Sequence, residues 1–427
     1  MYKPLLVLLG LLSVTPSLAA QREVVGLTNT TPYLLRQSID GRNCAAKRCS
    51  ATPHQSQVAA FAGGTAFDGR MNAVWISNGT RLDTMLQPGT SGTCRNVCRT
   101  QAVPQAPNLT KYTTGMAYLE SGTLNANGGS GPYGKIYFSY DTPVIGWADV
   151  KGCSLVNYKY CRLGFIPATS RIGGLALDDI NRLLFIGTYD TSGVAMVYVV
   201  NADTPCTVIC SVPILLNPRT CPNTPALRSM AGLAYDACAR MLYVTDGPQT
   251  VFGTFMAGAA GCRWAHRGCC KTPVELYTGL ALLPPAEGTA GRSCIRASCN
   301  SCPSMAATTS GGAAVMGNPF YQLRLQNAPS NSGIAILALG LGGCVSPGLS
   351  FGFCNNIMVS FAAPGPFTLA FPTPPSSGPC GLNMSVPLPI PVNATLCNQQ
   401  ISFQWIVGCR PNGHGVTNCR DFRITAN

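Results

Sequence analysis

The sequence predicts an all-β fold in which four-stranded antiparallel sheets repeat along the chain. Three observations predict it: a recurring hairpin motif, a cysteine pair that follows the motif at a similar distance, and short apolar runs separated by turn residues. The chain of 427 residues contains 46 Gly, 33 Pro and 22 Cys. It is long enough for two or three domains.

The hairpin motif begins with Gly, runs through alternating apolar residues to a turn of Gly, Asp and Asn, and ends in a second apolar run. "GLALDDINRLLFIGTYD" is one copy, and "AMVYVVNADTPC" and "CSVPILL" follow it as two more strand candidates. Four short strands roughly every 45 to 60 residues are typical of a β-propeller blade. The copies begin at Gly64, Gly115, Gly174, Gly232 and Gly279.

The N-terminal segment supplies the strands that the last copy lacks. "LTNTTPYLLRQSIDGRNCAAKRC" reads as the outer half of a blade, whereas the copy at Gly279 has only an inner half. We therefore expect the N-terminal strands to complete the last blade, close the ring and bring Leu34 near Leu280. The prediction is a propeller of five blades, with six as the alternative.

A close pair of cysteines recurs where the third strand of each blade should turn into the fourth. We expect each pair to bond within itself and to staple the tip of the outer hairpin. Zinc ribbons are the alternative, but export to an oxidising environment, as argued below, would favour disulfides over zinc-bound thiolates. The predicted pairs are Cys44 with Cys49, Cys94 with Cys98, Cys153 with Cys161, Cys206 with Cys210, and Cys262 with Cys269.

Residues 1–20 have the form of a secretory signal peptide, with Lys3, an apolar stretch and small residues at the end. An N-terminal membrane anchor is the alternative. No later segment is apolar for long enough to span a bilayer. Export and the even number of cysteines together predict a secreted or cell-surface protein with disulfide bonds.

The formal net charge is +13, from 29 Lys and Arg against 16 Asp and Glu. Such a protein could bind acidic polysaccharide, anionic envelope polymers or nucleic acid. However, the positive residues are scattered and no basic-aromatic stripe is present, so we predict no specific nucleic-acid partner.

The C-terminal part predicts a second domain. We place the propeller at residues 21–303, a flexible linker, "SMAATTSGGAAVMG", at 304–317, and an antiparallel β-sandwich at 318–427. Its six cysteines are expected to pair within the domain, and the sequence does not choose among the fifteen pairings. They are Cys344, Cys354, Cys380, Cys397, Cys409 and Cys419. The partners of six others stay open: Cys221, Cys238, Cys270, Cys294, Cys299 and Cys302.

Two resemblances extend this prediction. The copy at Gly232, with "LYVTDG", resembles the repeats of NHL and YVTN-type β-propellers, which implies a closed ring and a binding platform but no particular ligand. "GNPFYQLRLQNAP", "SVPLPIPVNATL" and "ISFQW" resemble a C-terminal domain of secreted planctomycete-type bacterial proteins. That resemblance implies secreted or surface placement rather than catalysis, and the six added cysteines depart from its pattern.

Residues that could carry chemistry are few. The only histidines are His54, His266 and His414, and no Gly-x-Ser-x-Gly elbow is present, so we predict no catalytic residue. The stretch "CRWAHRGCC" could bind an anion or stack a sugar ring, although a disulfide-pinned blade tip is the favoured interpretation. The weak binding candidates in it are Arg263, Trp264, His266 and Arg267.

Asp68, Asp178 and Asp236 each close the first run of a repeat. A recurring Asp in one turn slot favours hydrogen bonds to nearby backbone N–H groups. Calcium binding is the alternative, but this acid-poor sequence has no Asp-x-Asp-x-Asp loop, so we predict no metal and no cofactor. Asn-x-Ser/Thr acceptors for glycosylation occur at Asn29, Asn78, Asn108, Asn383 and Asn393.

The sequence therefore favours a secreted, non-enzymatic binding or structural module whose ligand is a glycan, an envelope polymer or a protein. One alternative is a propeller hydrolase or lyase acting on lactone or polysaccharide, which would need carboxylates such as Asp68 and Asp236 to converge in the central channel. A second alternative is a self-assembling surface coat.

Overall fold

The computed structural model describes most of the chain from Arg22 to Ala426. The predicted signal peptide at 1–20 and His54 lie outside the described residues. The residues that the structure describes are 22–28, 33–39, 44–50, 63–77, 81–86, 97, 101–102, 113–120, 134–190, 193–217, 227, 229–246, 249–258, 261–271, 277–296, 298–362, 365–376 and 378–426.

The described chain divides into two compact units, one ending at Leu283 and the other spanning Pro284–Thr425. Strands build both units, and the helical structure among the described residues is a single 3-10 turn, Ala394–Leu396. The prediction of an all-β protein is confirmed. No helix in the described part of the chain is long and apolar enough to cross a membrane.

The N-terminal unit contains the first twenty described strands. They are β1 (Arg22–Thr28), β2 (Tyr33–Ile39), β3 (Cys44–Ser50), β4 (Thr65–Asp68), β5 (Ala73–Ser77), β6 (Arg81–Leu86), β7 (Gln101–Ala102), β8 (Thr113–Glu120), β9 (Gly134–Tyr140), β10 (Thr142–Lys151), β11 (Ser154–Arg162), β12 (Arg171–Asp178), β13 (Leu183–Tyr189), β14 (Ala195–Asn201), β15 (Val208–Pro213), β16 (Gly232–Asp236), β17 (Met241–Thr245), β18 (Gln249–Gly258), β19 (Gly261–Lys271) and β20 (Tyr277–Leu283).

These strands form five four-stranded antiparallel sheets. Four sheets take consecutive strands: β4–β7, β8–β11, β12–β15 and β16–β19. The fifth sheet has the order β20-β1-β2-β3. In it Val24 and Val25 of β1 pair with Leu282 and Ala281 of β20, and Leu34 pairs with Leu27. The first strands of the chain therefore lie beside the last strand of this unit.

Burial falls from the first strand of a sheet to the fourth. In "RIGGLALD" of β12 every residue after Arg171 is buried, whereas in "VICSVP" of β15 none is. Aromatic side chains fill the space between two neighbouring sheets, because the Phe185 ring lies 4.4 Å from the Tyr235 ring and 5.2 Å from the Phe255 ring. Burying one such side chain removes enough apolar area from water to contribute about 1.5–3 kcal/mol to the free energy of unfolding.

The C-terminal unit contains ten described strands in two sheets. The larger sheet has seven strands, with β21-β30-β28-β25-β26 as its main path and β22 and β29 attached to it, and the smaller has the order β23-β24-β27. The strands are β21 (Gly288–Ala290), β22 (Cys294–Ile295), β23 (Ala306–Ser310), β24 (Gln322–Ala328), β25 (Ser332–Leu341), β26 (Phe367–Pro372), β27 (Leu382–Pro387), β28 (Gln400–Cys409), β29 (Gly413–Val416) and β30 (Cys419–Arg423).

The two sheets meet through aromatic rings and one ionic network. The Tyr321 ring lies 4.9 Å from the Phe422 ring. Glu287 accepts hydrogen bonds from the Tyr321 hydroxyl at 3.1 Å and from Thr309, and pairs with Arg420 at 2.8 Å. Burial, with the Glu287 carboxylate as the next cause, raises the pKa of Tyr321 well above its ordinary value.

The predicted linker at 304–317 is not a linker in the structure. It contains β23, which pairs with β24, and it buries Met305 and Met316. The unit itself begins at Pro284, not at residue 318. Small residues and Thr made this segment look flexible, but in β23 they suit close packing against the neighbouring strand.

Four disulfides tie the C-terminal unit together. The expectation that its cysteines pair among themselves is wrong for four of them. Cys354, Cys409 and Cys380 bond to the earlier segment 294–302, and Cys397 is disulfide-bonded although each of the other five already has a partner. The bonds are Cys294–Cys354, Cys299–Cys409, Cys302–Cys380 and Cys344–Cys419. This segment was assigned to the propeller, and its three bonds anchor it in the second unit instead.

In the described part of the N-terminal unit, two disulfides run between neighbouring sheets. Cys161 of β11 bonds to Cys206, and Cys210 of β15 bonds to Cys262 of β19. The predicted local pairs Cys153–Cys161, Cys206–Cys210 and Cys262–Cys269 are therefore wrong. Cys153 and Cys269 are also disulfide-bonded. The predicted pairs Cys44–Cys49 and Cys94–Cys98 lie outside the side chains that the structure describes.

The inter-sheet pairing has a direct test in a tryptic digest of the non-reduced protein. Residues 183–219 form one tryptic peptide that contains both Cys206 and Cys210, because no Lys or Arg lies between Arg182 and Arg219. We expect mass spectrometry to find it joined to the peptides that contain Cys161 and Cys262, and reduction to release all three. A single peptide 183–219 with an internal disulfide would contradict the structure.

Candidate functional site

Five glycines bring the inner strands of the N-terminal unit into backbone contact. A Cβ atom added to any one of them would lie between 2.2 and 2.7 Å from a backbone atom of the next inner strand. Real Cβ contacts are not this short, so only Gly fits. The contacts run from Gly64 to Met116, from Gly115 to Leu175, from Gly174 to Leu233, from Gly232 to Gly279, and from Gly279 back to Thr65.

A small apolar cavity lies among these strands. The three residues after each glycine line it: 65–67, 116–118, 175–177, 233–235 and 280–282. The space available to water-sized molecules is about 40 Å³. Since one water needs roughly 10–15 Å³ on this measure, the cavity has room for only a few waters. It does not have the volume of a small-molecule site.

The recurring aspartates fix their own turns, as their position in the repeat suggested. Asp68 accepts hydrogen bonds from the Met71 N–H at 3.0 Å and from the Trp75 indole at 3.2 Å. Asp178 accepts from two backbone N–H groups at 3.0 Å, and Asp236 accepts from the Ala239 N–H at 3.0 Å. These three carboxylates are held in separate turns, so the pair Asp68 and Asp236 does not form a shared acid–base site.

Glu120 was missed in the sequence because it lies one residue beyond the repeated Asp position. It ends β8, is 2% exposed, and accepts a hydrogen bond from the Arg70 N–H at 3.1 Å, in the turn of the preceding sheet. Burial, and then the charges of Asp68 and Asp179, raises its pKa well above the ordinary value. Burial likewise raises the pKa of Asp68. Glu120 therefore links two sheets with a carboxyl group that resists ionisation.

The stretch "CRWAHRGCC" forms part of β19 and uses its two faces differently. Trp264 and His266 are half-buried, whereas Arg263 and Arg267 are exposed. The Trp264 indole donates to the Leu215 carbonyl at 2.9 Å, and the Asn217 N–H donates to His266 Nδ1 at 3.2 Å. Burial lowers the pKa of His266. Trp264 and His266 thus link β19 to the segment that follows β15.

Exposed apolar and basic side chains occur on both sides of this junction, and we call them together the outer patch. Leu215 is 66% exposed, and Ile209 and Met256 are about half exposed. Met256 pairs across the sheet with Arg263, and Ile209 adjoins the Cys210–Cys262 disulfide. The outer patch consists of Ile209, Leu215, Met256, Arg263 and Arg267.

The remaining predicted sites are dispersed. His414 lies in β29, with the Phe353 ring at 5.4 Å. Asn393 and Asn383 are exposed, and Asn393 accepts hydrogen bonds from Thr395 within its own turn. Asn29, Asn78 and Asn108 lie outside the described residues. Among the residues that the structure describes, no group of three or more His, Cys, Asp or Glu could hold a metal ion.

The glycine contacts predict a large difference between two Gly→Ala variants. In Gly174→Ala the new Cβ would lie 2.7 Å from the Leu233 nitrogen, whereas Gly164 has nothing within 4 Å of that position. We expect Gly174→Ala to lose about 1–3 kcal/mol or more of unfolding free energy and Gly164→Ala to be close to neutral, as measured by urea denaturation. Equal effects would contradict the close approach.

The raised pKa of Glu120 predicts that the benefit of Glu120→Gln grows with pH. The folded state holds the Glu120 proton more tightly than the unfolded state does, so stability falls as pH rises above the ordinary Glu value. Gln stays neutral and keeps an acceptor for the Arg70 N–H. We expect the Tm difference between Glu120→Gln and wild type to be small near pH 4 and positive near pH 8.

Asp203 supplies a control of opposite sign. Its hydrogen bond with Arg182 lowers the pKa of Asp203, so its contribution to stability is present above the ordinary Asp value and lost as pH falls. Asp203→Asn should therefore lower Tm at neutral pH, and the difference should shrink in acid. If both variants show the same pH trend, the assignment for Glu120 is wrong.

Comparison with known proteins gives no family. No family model matches the chain, and no curated protein matches it. It aligns with the crystal structure of a mitotic checkpoint complex at a TM-score of 0.29, with 10% identity over 84% of this chain and 87% of that chain. It also aligns with the Saccharomyces cerevisiae protein Sqt1 (TM-score 0.30, 9% identity, 60% and 65% of the two chains) and with the WD40 domain of SCAP from fission yeast (0.27, 8%, 96% and 86%). TM-scores this low support no conclusion about this chain.

Proposed function

We propose that the protein is an exported binding module, with a five-bladed β-propeller closed by its own first strands and a C-terminal β-sandwich. The pairing of β1 with β20 and the return of the glycine contacts from Gly279 to Thr65 support closure. The described disulfides are compatible with an oxidising extracellular location.

The outer patch is the observation that supports binding. Ile209 lies on β15, Leu215 just after it and Met256 on β18, and the Cys210–Cys262 disulfide and two further hydrogen bonds link these segments. Exposed apolar groups on a rigid frame lose little entropy when a ligand covers them. Arg263 and Arg267 add two positive charges, so among glycans, envelope polymers and proteins the patch favours an acidic ligand.

The small volume of the cavity in the N-terminal unit supports the same proposal. The central cavity has room for only a few waters, and Asp68 and Asp236 accept hydrogen bonds within their own turns. A hydrolase or lyase of the kind considered above would need room for substrate and two converging carboxylates in this channel. The outer surfaces of the unit are better suited to recognition.

Binding of the oxidised full-length protein to immobilised acidic glycans, neutral glycans and cell-envelope fractions tests this function. We expect Arg263→Glu with Arg267→Glu to weaken binding about tenfold or more, since charged contacts at the centre of an interface contribute most. The matched control is Lys159→Glu with Arg162→Glu, because both residues are exposed on the outer strand β11 and the change in net charge is equal.

Two outcomes would contradict the proposal. If both double variants lose binding equally, attraction is a property of the net charge and not of the outer patch. If no fraction binds the wild-type protein at micromolar concentration, the protein is not a binding module of this kind.

A further inference from the structure

A loop of the C-terminal unit exposes several large apolar side chains. We call residues 344–354 the apolar loop. Val345 is 47% exposed, Leu349 49% and Phe351 56%. Single exposed apolar residues are common on soluble proteins, whereas three within seven residues of one loop are a typical sign of an interaction site.

The apolar loop is braced at both ends. Cys344 bonds to Cys419 of β30, and Cys354 bonds to Cys294 of β22. Leu349 and Ile357 exchange backbone hydrogen bonds at 2.9 Å, and the Phe351 ring stacks on that of Phe361 at 6.0 Å. The exposed side chains are therefore presented in a fixed arrangement, and little ordering is required on binding.

The exposed charged side chains described in the C-terminal unit are all positive. From Leu325 to Cys409 the sequence contains no Asp, Glu, Lys, Arg or His. The two carboxylates of the C-terminal unit, Glu287 and Asp421, are half-buried. Glu287 accepts a hydrogen bond from Arg420, and Asp421 accepts one from the Cys344 N–H. Among the described residues of Pro284–Thr425, the exposed charged side chains are all arginines: Arg292, Arg296 and Arg410.

One of these arginines adjoins the base of the apolar loop. The Asn355 side-chain amide donates a hydrogen bond to the Arg292 carbonyl, directly after the Cys354 disulfide. The apolar loop thus exposes apolar side chains, and Arg292, on a segment that is hydrogen-bonded to the residue after the loop, is an exposed cation. A lipid surface accepts this combination, with acyl chains inside and charged headgroups outside.

We propose that the apolar loop inserts into the interfacial region of an anionic lipid bilayer, with Val345, Leu349 and Phe351 among the acyl chains and Arg292 at the headgroups. A protein partner would gain specificity from placed charged groups, which the loop lacks. A second copy would bring exposed positive charge against exposed positive charge. An anionic bilayer complements both the apolar and the basic groups.

Flotation with vesicles tests the proposal on the oxidised full-length chain. The vesicles contain phosphatidylcholine alone or phosphatidylcholine mixed with phosphatidylglycerol. We expect binding to the mixed vesicles, and a loss of about tenfold or more in Leu349→Ser with Phe351→Ser. The matched control is Ile334→Ser with Val392→Ser, since both residues are 41% exposed elsewhere in the unit; it should bind like wild type.

Three results would overturn the proposal: no binding of wild type to either vesicle, equal binding by the loop variant, or a wild-type dimer in sedimentation that the loop variant abolishes, which would make the occupant a second copy. Because the substituted residues are exposed, unchanged circular dichroism should show that both variants fold. Failure here leaves the outer patch untouched, and failure of glycan and envelope-fraction binding leaves the vesicle result untouched.

Discussion

The close approach of five backbones at the centre of the N-terminal unit is the constraint on which the rest of its structure depends. At Gly64, Gly115, Gly174, Gly232 and Gly279 the neighbouring inner strand occupies the space where a Cβ would lie. The apolar side chains that follow each glycine fill the space between these strands and leave a residual cavity of about 40 Å³. Polar groups near it are then buried, and Asp68, Asp178 and Glu120 accept hydrogen bonds from backbone N–H groups. The inner strands therefore serve the stability of this unit.

Disulfides perform at the outer edge what glycine contacts perform at the centre. Outer strands such as β15 are exposed and bury little apolar area, so packing alone holds them weakly to the adjacent sheet. The bonds Cys161–Cys206 and Cys210–Cys262 join successive sheets near their outer strands. A bond within one hairpin would close a short loop that the strands already hold together. A bond between sheets closes a loop of 45 or 52 residues and removes more freedom from the unfolded chain.

The sequence allowed prediction of features that depend on local chemistry and recur. The five glycines, the turn-forming aspartates and the alternating apolar residues all recur with the hairpin motif. In the structure the glycines contact the next strand, the aspartates accept hydrogen bonds in their turns, and the apolar runs form strands. Cysteine pairing was not predictable in the same way, because spacing shows which strand carries a cysteine but not which neighbouring strand faces it. Glu120 was invisible because its role depends on Arg70 of another sheet. The segment 304–317 misled because Ala, Ser and Thr occur both in linkers and in a half-buried strand such as β23.

The two candidate surfaces differ in the physical basis of their binding, and this separates their functions. On the outer patch, Arg263 and Arg267 are exposed charges, so attraction to an acidic ligand should weaken strongly as salt screens it. The apolar loop contains no charge, and its contribution comes from area removed from water, which salt does not screen. Salt should therefore slow the capture of the protein by an anionic bilayer, through the arginines, without abolishing the insertion that follows. An acidic polymer on the outer patch has no such second step. Titrating salt after binding thus distinguishes a polymer held by charge from a bilayer that holds side chains in its interior.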